Sequence, residues 1–244
     1  MNRSDQLTAQ IEPFDTFWEG PENVEKGYSK FLEFYKFNYL SHFPSDKNTN
    51  ILVVSCGPGY CVNMLKKAGY SNVIGIDSRP GQILWAQKYN LNCQVARAFE
   101  YLDASADKSL GAIFCEQELN HLTKREIINF LKLCLQKLKP GGHLICHSLN
   151  GANPIVGSES LAQNFDHYNT FTEYTFKQIL DHTGYKEIKI YPLNLYVFWK
   201  NPANYVLLAA SWLLHIAFRA LFIMYGKGNK LFTKKIGACC KKPA

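Results

Sequence analysis

Two apolar periods alternate along the chain. Short runs of strand length recur at 51–55, 72–76, 93–97, 111–116, 143–148 and 186–191. Between most of them lie segments whose apolar positions return at helical spacing: 61–68, 80–89, 124–138 and 173–183. Near-continuous apolar strands separated by amphipathic helices predict an α/β domain with a mostly parallel sheet and helices on both faces. The punctuation agrees. Thr123 and Glu126 stand in T-x-x-E spacing before one helix, and Thr172 opens another. Gly69 and Gly184 suit helix C-caps, and "KPGG" predicts the end of helix 124–138. The 24 residues from Leu149 to Thr172 are long for a plain connection and predict a functional loop.

Two segments stand outside the alternation. Residues 24–42, rich in aromatics at helical spacing, predict an N-terminal helix, followed by the linker "PSDKNTN". Residues 203–225 are apolar except for Asn204, Ser211, His215 and Arg219, spaced seven, four and four apart. At about 100° per residue these four form one narrow stripe. Such a helix lies in a membrane interface, packs on the domain or a dimer partner, or spans a bilayer. A final strand is expected at 236–241, which would make the apolar helix an insertion. A span would leave that strand on the wrong side, so the interface is favoured. The division is 1–50 as a helical cap, 51–200 as the core, and 201–244 as the apolar helix and last strand.

Charge and cysteine content narrow the class. The net charge is +7, and residues 200–244 alone carry eight Lys and Arg and no acid. The basicity therefore belongs to the tail and predicts an anionic or membrane-surface partner there. The rest is close to neutral with no basic stripe, which argues against nucleic acid. Eight cysteines sit mostly in apolar runs, with no C-x-x-C pair. They predict free thiols, no metal site and a reducing, cytoplasmic setting, peripheral at the membrane face. The first twenty residues hold no apolar run, so no signal peptide is expected.

The stretch "ILVVSCGPGYCVNMLKKAGYSNVIGIDS" (51–78) carries the chemistry. An apolar strand enters a glycine turn and a helix, whose first N–H groups and partial positive charge face the ligand. Gly57 and Gly59 allow close backbone approach. Asp77, ending the second strand 20 residues after Gly57, is placed to accept from the two hydroxyls of a ribose. Val62 stands where a dinucleotide fingerprint has its third glycine, which disfavours NAD.

"VVSCGPG", then "GIDS", then "LKPGGHLI" resemble the motifs of class I S-adenosylmethionine-dependent methyltransferases over residues 45–195. "NGANP" and "DHYNTFTEYTFKQILDHTGY" resemble the subgroup associated with bacterial polysaccharide and lipid-glycan synthesis. The resemblance implies a Rossmann-like seven-stranded sheet and S-adenosylmethionine as cofactor. It places Ser55, Cys56, Gly57 and Gly59 at the methionine half, Asp77 and Ser78 at the ribose, and Ala98 and Phe99 near adenine. Glu116 and Gln117 fall by the sulfonium and the substrate, and "ELNHL" places His121 near the cofactor. The chain departs from the pattern at Val53, usually an acid, and at Ser55, usually glycine. Gly111 replaces a frequent Asp, and Arg97 stands where an acid often meets the adenine.

Methyl transfer to oxygen gains from in-line positioning and from a base. His167, in the long loop, is the leading candidate, with His147 and Glu116 behind it; Asn150 could position a substrate hydroxyl. The expected acceptor is a hydroxyl of a glycan or glycolipid. The alternatives are a small aromatic or quinone-type acceptor, and a cofactor-binding scaffold without turnover. A homodimer through the apolar helix is a further expectation.

Overall fold

The computed structural model describes residues 21–115, 118–162, 167–194 and 202–244, without the side chains of residues 21–23 and 118. Seven strands form one sheet: β1 (Ile51–Val54), β2 (Val73–Asp77), β3 (Cys93–Val95), β4 (Leu110–Cys115), β5 (Leu138–Leu149), β6 (Lys186–Pro192) and β7 (Lys235–Lys241). Their spatial order is β3-β2-β1-β4-β5-β7-β6. The first five are mutually parallel, and β7 runs antiparallel between β5 and β6. This is the predicted sheet, with the apolar helix inserted before its last strand.

Side-chain alternation along the strands divides the core in two. Ile51, Val53, Ala112, Phe114 and Ile145 face one layer, with α1 (Pro21–Tyr39), α2 (Tyr60–Lys67) and α3 (Pro80–Lys88). Leu52, Val54, Ile113, Cys115 and Leu144 face the other, with α4 (Ala98–Ala104), α5 (Lys124–Lys137) and α7 (Glu173–His182). Burial of strands on both faces explains why they read as continuous apolar runs. The capping box at Thr123 and Glu126 is formed, and Thr172 caps α7 with Thr175.

The structure corrects several boundaries. "KPGG" lies inside β5, because Gly141 N–H donates to Lys242 O and Lys242 N–H to Gly142 O, recruiting it to β7. The strand expected over 93–97 stops at Val95, and α4 follows at once. The long loop holds α6 (Gly157–Ala162).

The apolar segment forms α8 (Ala203–Met224), with no buried residue and a length and hydropathy sufficient to cross a membrane. All eight cysteines are buried free thiols.

Candidate active site

Ligands of such sheets bind outside the carboxyl ends of the parallel strands. At that edge β1 runs through Ser55 into the turn that starts α2. Ser55, Gly57 and Gly59 all have positive φ, at 53°, 53° and 84°. A Cβ on Gly59 would lie 2.8 Å from Leu91 Cδ1, so packing and conformation both demand glycine there. A Cβ on Gly57 would meet nothing within 4 Å. Glycine at 57 instead meets a left-handed backbone beside open space, which suits a ligand passing close to the chain. Ser55 adopts the same region with a side chain, at a cost of ~1–2 kcal/mol.

Asp77 is 4 % exposed at the end of β2. Its Oδ2 accepts from Gly57 N–H at 2.9 Å, which ties the glycine turn to β2. Its Oδ1 accepts from Arg79 N–H at 2.9 Å and Arg79 Nε at 3.3 Å. A carboxylate offers about four acceptor sites, so capacity remains for a ribose hydroxyl. A diol claiming both oxygens competes with Arg79, a neighbour the sequence reading missed. The D-x-R spacing in "DSRP" was the available signal. Ser78 is exposed next to Asp77.

Cys56 is buried, and its N–H donates to Ile76 O at 2.9 Å. Its thiol hydrogen-bonds Cys93, which together with burial pushes it well above its ordinary value. A neutral thiol therefore faces the cradle, and it is no nucleophile.

Helix α1 closes this side. Tyr28 Oη–H donates to Pro58 O at 2.5 Å, and its ring stacks on Tyr89 at 3.7 Å. Tyr60 Oη–H reaches back to Val24 O at 3.0 Å, and burial pushes that phenol up to about 12. Of the aromatics of this helix, Phe34, Tyr35 and Tyr39 are core residues and Phe37 is exposed. Tyr28, which was not singled out, is the one that touches the turn.

Ala98 and Phe99 open α4, each half-buried, and the Phe99 ring packs edge-on against Phe130 at 5.6 Å. Arg97 precedes them, exposed. Val53 is fully buried mid-strand. Gly111 is required by its neighbour, since a Cβ there would overlap Thr49 Oγ1.

The β4–β5 side of the edge holds the histidines. His121 and His167 meet edge to face, centroids 4.9 Å apart, although they are 46 positions apart in sequence. His167 Nδ1 lies 2.9 Å from Ser160 O. A carbonyl only accepts, so Nδ1 carries a hydrogen, and this contact fixes the orientation of the ring. Around the pair, Asn120 Nδ2 donates to Asn169 O at 2.7 Å and Ser148 Oγ to Asn120 Oδ1 at 3.1 Å. Glu116 and Gln117, expected beside the sulfonium, lie outside the described residues.

His147 ends apart from this pair. It is fully buried, with Nδ1 2.5 Å from Tyr39 Oη, and burial holds its imidazole well below the ordinary 6.5. Asn150, expected near a substrate hydroxyl, is also fully buried. Its Nδ2 holds Leu231 O and Thr233 O, each at 2.9 Å, so it fastens the connection into β7.

Known proteins agree with this geometry. Residues 51–142 match the family model described as "Methyltransferase domain". The fold resembles the crystal structure of a SAM dependent methyltransferase from Archaeoglobus fulgidus, with TM-score 0.66 and 17 % identity, covering 94 % of this chain and 98 % of that one. It also resembles the plantazolicin methyltransferase BpumL in complex with SAH (TM-score 0.58, 19 % identity, 91 % and 87 % covered). In sequence, the chain is 25 % identical over 183 residues to a ubiquinone biosynthesis O-methyltransferase of Xanthomonas campestris pv. campestris, covering 69 % of this chain and 75 % of the relative.

The fold is that of S-adenosylmethionine-dependent methyltransferases, and residues 51–142 carry the match to a methyltransferase domain. Together these matches support methyl transfer from S-adenosylmethionine.

Proposed function

We propose that this enzyme methylates a hydroxyl oxygen of a small, lipid-soluble aromatic acceptor of the quinol type. The observation that carries the chemistry is His167, whose ring is oriented by Ser160 O at Nδ1 and meets the His121 ring at the carboxyl edge of the sheet. The printed name of the sequence relatives supports the acceptor class, and does so over the glycan hydroxyl expected first from the sequence.

S-adenosylmethionine supplies a methyl group on a sulfonium, open to in-line displacement. Gly57 and the start of α2 give it a close backbone surface, and Asp77 receives its ribose. His167 Nε2 takes the acceptor's hydroxyl proton as the oxygen forms its bond to the methyl carbon. The C–S electron pair leaves with sulfur, so the products are the methyl ether, S-adenosylhomocysteine and an imidazolium. A phenolic acceptor suits this scheme, because its acidity lies closer to that of histidine than a sugar hydroxyl's does.

The test is S-adenosylhomocysteine release with catechols and hydroquinones against free sugars and glycolipids, for wild type and His167→Ala. We expect turnover on the phenolic panel, and a kcat lower by ~10²–10⁴ in the variant with cofactor affinity unchanged. Turnover confined to sugars would sink the acceptor class, and an unimpaired variant would remove His167 as base.

A further inference from the structure

Helix α8 is built inside out. Its half-buried positions are Asn204, Ser211, His215, Phe218 and Phe222, so three of the four polar residues of its stripe face the protein body. The contact is made through Phe232, whose ring meets His215, Phe218 and Phe222 at 5.4, 6.1 and 4.6 Å. Large apolar side chains point the other way: Val206, Trp212, Leu213, Ile223 and Met224 are 62–79 % exposed. The inward stripe covers roughly 60° of the helix, leaving roughly 300° turned outward. In that outer sector Arg219 is the only charged residue.

A helix of a second copy would cover roughly one 100°-wide stripe of this surface. Hydrocarbon covers all of it. The surrounding charge selects the kind of membrane. Arg219 lies in the last third of α8 and Lys227, Lys230 and Lys234 follow it, with no acid between 200 and 244. Lys241 and Lys242 do not contribute, because they lie at the opposite end of β7, where Lys241 pairs with Glu187 and Lys242 caps Leu138 O.

Both ends of the insertion are fixed to the same body. Leu193 N–H bonds Lys235 O, Asn194 N–H bonds Asn38 Oδ1, and Lys230 N–H bonds Glu173 Oε1. A helix about 33 Å long that is pinned to the domain by Phe232, in an insertion whose two ends join the same sheet, suits lying along a membrane better than crossing it.

We propose that α8 seats in the plane of an anionic bilayer, with the apolar residues of its outer sector among the acyl chains and Arg219 and the lysines that follow the helix at the headgroups. The placement has a consequence for catalysis. β7 enters the sheet beside the end of β5, where Leu149 pairs with Lys235, so α8 belongs to the edge that carries the active site. Tyr174, exposed near that edge, lies against Gly228 of the connection. The bilayer would then face the catalytic edge.

Flotation of the full chain with vesicles needs no acceptor, so it succeeds or fails independently of the proposed reaction. The vesicles are phosphatidylcholine alone or mixed with phosphatidylglycerol. We expect the wild type to float with the anionic vesicles, and Trp212→Glu/Leu213→Glu to bind them at least ~10-fold less. S-adenosylhomocysteine binding should be equal in the two proteins, which shows that the variant is folded. Absence of wild-type flotation, or equal flotation of both proteins, overturns the proposal. A dimer that the double variant abolishes, without flotation, also overturns it and assigns the surface to a second copy.

Discussion

Helices α1 and α8 are similar in length and both rich in large apolar residues, yet they face opposite ways. α1 turns Val24, Tyr28, Phe34, Tyr35 and Tyr39 into the core and leaves Glu25, Lys26, Ser29, Lys30 and Glu33 in water. α8 turns Asn204, Ser211 and His215 inward and its aliphatic residues outward. Apolar content therefore says little about what a helix stabilises. In α1 the burial supports the domain and closes the cofactor turn. In α8 the same side chains contribute almost nothing to the isolated chain.

Truncation gives the largest contrast. Phe34→Ala should cost ~3–5 kcal/mol of unfolding free energy, because it empties a buried aromatic site. Leu213→Ala should cost less than ~0.5 kcal/mol in the absence of lipid. Urea unfolding monitored by circular dichroism reads both, and comparable losses would mean that α8 is covered in solution.

Acid should act on the α1 side next. His147 lies beneath Tyr39, and its imidazole is held well below 6.5, first by burial and then by the charge of Lys235. Above pH 6.5 the group is neutral in both states. Below it the unfolded chain takes a proton that the folded chain refuses, so stability falls as pH drops towards the folded-state value. The slope from this group approaches ~1.4 kcal/mol per pH unit. Melting curves between pH 8 and 5 should show it, and His147→Gln should flatten it.

The smallest effect belongs to the turn that α1 covers. Ser55→Gly should stabilise the fold by ~0.5–1 kcal/mol, since relief of the left-handed backbone exceeds the added freedom of the unfolded chain. The readout is a higher urea midpoint at constant slope. A fall would mean that the serine side chain makes a contact worth more than the strain.

What the sequence disclosed follows from how local each signal was. β1, β2 and β4 were legible because both their faces are buried, and the turn after β1 because Gly57 and Gly59 mark a left-handed backbone. The extent of β5 was hidden: Pro140 and two glycines read as a turn until β7 supplies hydrogen bonds from a hundred residues away. The approach of His121 to His167, 46 positions apart, is also non-local, and neither residue announces the other. Asn150 was misjudged because its partners come from the connection into β7. The polar stripe of α8 was visible, but which side of it met the protein depends on Phe232, beyond the helix itself.

The position of β7 bears on how the molecule comes into being. β6 pairs with β7 alone, and β7 also completes the flank of β5. As the chain leaves the ribosome, α8 emerges whole while β6 still lacks its only neighbour. The strand that joins β6 to β5 arrives last, with contacts reaching back about a hundred residues, and such non-local closure is slow. During that interval the nascent protein already exposes its most apolar helix, before the sheet that carries the candidate site is complete.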